Sequence, residues 1–139
     1  MKNKGEIIVK SSTKNLAVIR DYLEEILYKD GIGQSIRNQI ILAVDEACTN
    51  IIKHTYKYDE KYDIKINFEI LPKKFTVNIE YAGIPFNPND VEAPNMKEYF
   101  AKYKVGGLGI PLIKTFMNKI EYSRIHPNIN SLTLIKELN

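Results

Sequence analysis

Glu46, Asn50 and His54 follow one another at i, i+4 and i+8 within residues 40–56, a stretch with helical periodicity. Residues at this spacing share one flank of a helix. A carboxylate one turn before a carboxamide places a proton acceptor beside an oxygen donor for a metal ion or a water. Phosphoryl transfer uses that combination. The same spacing also describes the solvated edge of an ordinary surface helix, so the three residues acquire meaning only from the rest of the chain.

The helix that carries them buries Ile40, Val44, Ala47 and Ile51 at i, i+4, i+7 and i+11. Gln34-Ser35 starts it and it is expected to run to about Tyr56. Before it, residues 5–10 alternate as a strand, Ser11-Ser12-Thr13 offers hydroxyl caps, and Leu16, Ile19, Leu23, Ile26 and Leu27 form the apolar face of a first helix. Asp30-Gly31-Ile32-Gly33 stops that helix. Residues 62–71 and 75–81 alternate apolar with polar around Leu71-Pro72-Lys73-Lys74, which predicts two antiparallel strands with one wet face. A third helix is expected over residues 110–118, burying Leu112, Ile113 and Phe116. Strands over 120–125 and 131–136 close the chain around His126-Pro127-Asn128-Ile129-Asn130.

Two glycine-bearing stretches interrupt this pattern. Gly83 opens a non-periodic segment with Pro85, Pro88 and Pro94, of a length that in a compact domain marks a functional loop or disorder. Val105-Gly106-Gly107-Leu108-Gly109 leads directly into the third helix. Free backbone N–H groups and the helix dipole point the same way there, which suits a phosphate, although a glycine cluster is also simply a loop.

The totals narrow the classes. The chain has 139 residues, of which 44% are hydrophobic and 27% charged, the balance of one globular domain over 1–139. A formal charge of +3 with scattered basic residues argues against nucleic acid. A lone cysteine, Cys48, excludes an intramolecular disulfide framework and reads as a buried thiol. No apolar run approaches bilayer length, so no membrane partner is expected and the cytoplasm is the expected compartment.

Taken together, Glu46-Ala47-Cys48-Thr49-Asn50 on a helix, Gly83-Ile84-Pro85-Phe86-Asn87-Pro88 after a strand and Val105-Gly106-Gly107-Leu108-Gly109 before a helix resemble the Bergerat-fold (GHKL) ATPase family. Within it they look like the bacterial anti-sigma-factor serine kinases of the RsbW and SpoIIAB type. The resemblance spans nearly the whole chain, and the conjunction is more specific than any one motif. It implies that Glu46 is the general base, that Asn50 is the Mg2+ ligand, and that His54 completes the N box. It further implies that Gly83, Gly106, Gly107, Leu108 and Gly109 bind ATP and that residues 84–104 form its lid. Tyr81-Ala82-Gly83 stands where the family has aspartate, any residue, glycine, so Tyr81 replaces the carboxylate that accepts the adenine amino group. Glu80 lies next door, but consecutive strand residues face opposite ways, and only a bulge or a slip would bring it in. Asn87 likewise stands where the family has aspartate.

The fold implied is α/β (α+β): a two-layer sandwich with a mixed, mostly antiparallel sheet of about five strands and three helices on one face. The partners implied are a sigma factor, an antagonist protein bearing the phosphorylated serine, and a second copy in a homodimer. Two functional readings follow. An ATP-dependent serine kinase that sequesters a sigma factor accounts for the N box, and a non-catalytic binding module with weakened nucleotide affinity accounts for Tyr81.

Overall fold

The computed structural model describes residues 3–82 and 109–138. Five strands form one sheet in the order β1-β2-β3-β5-β4: β1 (Asn3–Lys10), β2 (Asp63–Leu71), β3 (Lys74–Ala82), β4 (Lys119–His126) and β5 (Ile129–Glu137). The sheet expected to be mostly antiparallel is antiparallel in every one of these pairings. Helices α1 (Leu16–Lys29), α2 (Gln34–Asn50) and α3 (Gly109–Phe116) cover one face.

Alternation decides which face is covered. Ile64, Ile66, Phe68 and Ile70 of β2 and Phe75, Val77, Ile79 and Tyr81 of β3 point inward and are buried, while Lys65, Asn67 and Glu69 point outward. The outer face is wet, as the pattern predicts. Lys4 pairs there with Glu69 and Lys65 with Glu6, and the Asn78 carboxamide donates to Ser131 and Thr133. Against the inner face α1 packs Ile19, Leu23 and Leu27, α2 packs Ile40, Val44, Ala47 and Cys48, and α3 packs Ile113. Of the helical stripes read from the sequence, Ile19, Leu23, Leu27, Ile40, Val44, Ala47, Ile51 and Ile113 are buried and Leu16, Ile26 and Phe116 partly so, while the Leu112 side chain lies outside the described residues.

Helix α1 stops as its glycine requires. Gly31 takes φ 79°, its N–H donates to the Tyr28 carbonyl, and the Ile32 N–H reaches the Leu27 carbonyl. This is the Schellman pattern, in which a left-handed glycine frees two amides to satisfy the last carbonyls. The expected hydroxyl caps before α1 are not made. Ser12 makes no side-chain cap bond; its hydroxyl donates to Glu60, and that of Ser11 to the Asp59 carbonyl. A contact across the fold has taken the place of a local one, and it ties the β1–α1 junction to the segment that follows α2.

Candidate functional site

Helix α2 continues beyond Asn50 as a π-helical turn, Ile51–Thr55, closed by a bond from the Tyr56 N–H to the Ile51 carbonyl. A π-turn holds one residue more than an α-turn, so side chains beyond Asn50 lag behind their α-helical bearing. The expectation of a helix to about Tyr56 holds in extent. His54, however, sits on this wider turn and does not continue the α-helical flank of Glu46 and Asn50. The chain then leaves through Lys57 and Tyr58, both at positive φ (51° and 66°). The Tyr58 N–H bonds the Ile52 carbonyl and holds this non-glycine exit in place.

Burial shifts the titration of Glu46 and of His54 in opposite directions. Glu46 is half-buried. Burial, and after it the Asp45 carboxylate, push its pKa above the ordinary carboxylate value against the opposing pull of Lys53. Asp45 itself pairs with Arg20 of α1 at 2.7 Å, and Thr49 donates back to its carbonyl, so the carboxylate behind Glu46 is held in place. Burial, assisted by Lys53, lowers the His54 pKa, which makes this imidazole a neutral group at pH 7. Asn50 carries a buried Nδ2 that has no hydrogen-bond partner among the described residues. Unpaired buried amide donors are rare, and one at a proposed ligand position invites an external acceptor. Cys48, fully buried one residue from this flank, has its thiol pushed up to about 12 by burial and is inert packing.

These features suit a Mg2+-nucleotide at the polar end. Among the described residues no cluster of three or more His, Cys, Asp or Glu could hold a metal alone. Mg2+ in nucleotide sites takes one or two protein oxygens and completes its shell with phosphates and water. The Asn50 carboxamide offers such an oxygen, and its orphaned Nδ2 offers a donor to a phosphate or water.

Position 81, expected to meet the adenine, departs from this. Tyr81 lies on the inner face and is only 7% exposed. Its ring meets Tyr56 edge-on, with centroids 6.5 Å apart, and Tyr56 in turn stacks on Tyr62 at 4.5 Å. Across the sheet the Tyr122 hydroxyl donates to Asn130 Oδ1 at 2.8 Å and is hydrogen-bonded to Tyr81. Burial raises the Tyr122 pKa against that bond and the Arg124 charge. Glu80 pairs with Lys65 and Ser131 in unbroken register and faces outward, so neither a bulge nor a slip brings its carboxylate inside. Tyr122, Asn130 and Arg124 are absent from the residues the motifs single out. Their signal lies in alternation: Ile120, Tyr122 and Arg124 share one face of β4, which puts a guanidinium in an apolar row.

Gly109, expected just before the third helix, is the first residue of α3, which ends at Phe116, two residues short of the expected end. Gly83, Gly106, Gly107 and Leu108, with the expected lid over 84–104, lie outside the described residues.

Three helices on one face of a five-stranded antiparallel sheet of this order form the architecture of the histidine kinase-like ATPase fold. The chain belongs to that family: residues 9–136 match the histidine kinase-like ATPase domain. It is 26% identical to the serine-protein kinase RsbW of Bacillus subtilis (strain 168), over the whole of this chain and 90% of that protein. It is 28% identical to the serine-protein kinase RsbW of Bacillus licheniformis, over 76% of this chain and 68% of the relative. Among solved structures, that of the RsbU and RsbW domains of Rv1364c from Mycobacterium tuberculosis superposes with a TM-score of 0.69 at 16% identity. It covers 98% of this chain, which spans 32% of that longer one, and the likeness is one of fold.

Proposed function

We propose that this chain is an ATP-dependent serine-protein kinase that also sequesters a sigma factor and phosphorylates an antagonist of that sequestration. The observation that carries the reading is the raised pKa of half-buried Glu46 one turn before the unpartnered Asn50 amide, on a helix that ends in a π-turn. A carboxylate made more basic by burial is suited to take the proton of a serine hydroxyl as its oxygen attacks the terminal phosphorus and ADP leaves. Asn50 would hold Mg2+ through its carboxamide oxygen, and the ion would neutralise charge on the phosphates. Neutral His54 would add a ring nitrogen able to accept a hydrogen bond. The RsbW relatives, described as serine-protein kinases, support this reading.

One observation favours a second reading. Tyr81 offers a phenol that is already bonded within a buried aromatic cluster, where the family supplies a carboxylate to adenine. A binding module that keeps the fold and its partners, as monomer or homodimer, but holds ATP weakly would look the same at that position. Thermal denaturation with and without Mg-ATP separates the two. A ligand at about 100 times its dissociation constant adds roughly 2.7 kcal/mol, so the kinase reading expects a clear rise in Tm. No shift at millimolar Mg-ATP sinks it in favour of the module. Incubation with Mg-ATP and a cognate antagonist, followed by detection of phosphoserine, tests the transfer itself.

A further inference from the structure

Arg124 lies on the inner face of β4, opposite Asn130 of β5 and immediately before a bulge that shifts the register by His126. Its Nε and Nη2 are buried and have no hydrogen-bond partner among the described residues. Those two nitrogens form the side-on fork of the guanidinium, whose parallel N–H groups take a carboxylate or a phosphate bidentately. A buried charged donor left unmade is among the costlier defects a fold can carry, so the fork is built for an acceptor. Among the described residues no neighbour supplies one. The Asn130 Oδ1 accepts from Tyr122, which is in turn bonded to Tyr81, and makes no bond to the fork. The inward rows of β2 and β3 carry no acid, and Glu80, the carboxylate next to Tyr81, faces the other way.

The register also places the fork. Arg124, Asn130 and Tyr81 lie on one cross-strand row, and Tyr81 meets Tyr56, the residue that closes the π-turn after Asn50. Two buried donor groups without acceptors, the Asn50 amide and the Arg124 fork, therefore occupy the same end of the inner layer. An extended, acceptor-rich anion satisfies both. We propose that Arg124 is an anion-binding residue of the nucleotide site, its fork taking a pair of phosphate oxygens of the bound nucleotide. This deepens the nucleotide reading above and rests on it, and it gives this chain an anchor for the nucleotide that replaces the missing carboxylate at position 81.

The test is calorimetric titration of the full chain, wild type, Arg124→Gln and Arg124→Lys, with pyrophosphate, Mg-ATP and Mg-GTP, together with ligand-free melting of each. Charge-assisted hydrogen bonds of this kind correspond to about ten- to a hundredfold in affinity. Arg124→Gln is expected to lose that much for all three ligands without melting lower than wild type, because an unsatisfied charge has been removed. Arg124→Lys keeps the charge, loses the fork, and falls between; it carries the test should Arg124→Gln fail to fold. Undiminished pyrophosphate binding by Arg124→Gln overturns the proposal. So does a change confined to the ratio of ATP to GTP affinity, which assigns the fork to a base edge. Wild-type protein that binds pyrophosphate but not ATP sinks the nucleotide reading and leaves the anion contact standing; binding of neither overturns both.

Discussion

Glu46 and Tyr81 set opposite demands on the same site, and each can be examined by a single substitution. Glu46→Gln removes the proton acceptor but leaves the contacts to nucleotide, so phosphate transfer should fall ~100- to 10,000-fold while Mg-ATP affinity stays near wild type. Titration alongside a transfer assay checks both halves; wild-type transfer by the mutant would make Glu46 a surface acid. The raised pKa adds a pH signature. Because the folded state disfavours the ionised form, the stability contributed by Glu46 is present below its unfolded pKa and is lost as pH rises through its folded value. Glu46→Gln should therefore melt higher than wild type at neutral pH, and the difference should vanish in acid. A melting series across pH that shows the reverse order would contradict the burial assigned to this carboxylate. Tyr81→Asp tests the base end. It vacates a ring buried against Tyr56, for which losses of about 3–5 kcal/mol are usual in large-to-small aromatic substitutions, while a carboxylate there should tighten ATP over GTP. A mutant that gains no ATP affinity would mean that position 81 does not face the base.

At the scale of elements, the β1 edge strand is held by a device that the bare glycine does not reveal. Gly5 lies across from Phe68, and a Cβ there would overlap the Phe68 ring and crowd the Tyr22 hydroxyl. The ring lies over the glycine and meets Tyr22 edge-on at 5.8 Å. Gly5→Ala should displace that ring and cost about 1–3 kcal/mol by urea denaturation, as overpacking does. A neutral result would show that the ring moves aside freely. Helices α1 and α2 are further joined by Arg37 of α2, whose Nε meets Glu24 at 2.9 Å while its Nη1 bonds the Ile32 carbonyl. These contacts fix the far end of α2, whereas the π-turn sets the bearing of its near end.

Over the whole molecule the two ends of the sheet have different chemistry. The donors of Asn50 and Arg124, without partners among the described residues, lie at the Tyr81 end. At the other end an open cleft of about 440 Å³ is lined by residues that include Ile36, Leu71, Pro72 and Leu138, and its one charged lining residue is Asp30. A cleft whose lining offers a carboxylate and no cation is a poor phosphate site, so Asp30→Ala should leave the Mg-ATP affinity unchanged; a loss of tenfold or more by titration would place the nucleotide at the wrong end. Among the described residues no helix is long and apolar enough to cross a membrane.

Much of this architecture was legible in the residues alone. Period-two alternation in residues 62–71 and 75–81 and the apolar stripe of Ile40, Val44, Ala47 and Ile51 determine inward and outward faces, because each side chain's direction follows from local backbone geometry. The Glu46–Asn50 spacing is likewise local and survives into the fold. Other features depend on what meets what across the sheet. That Ser11 and Ser12 reach Asp59 and Glu60 and do not cap α1 was decided by a contact 48 residues away. The π-turn depends on the packing of Ile51, Ile52 and Tyr56 into the core, which periodicity does not register. Only strand register showed that Glu80 is excluded and that Tyr81, Asn130 and Arg124 share a row, since hydrogen-bonded pairing between strands distant in sequence sets which side chains become neighbours.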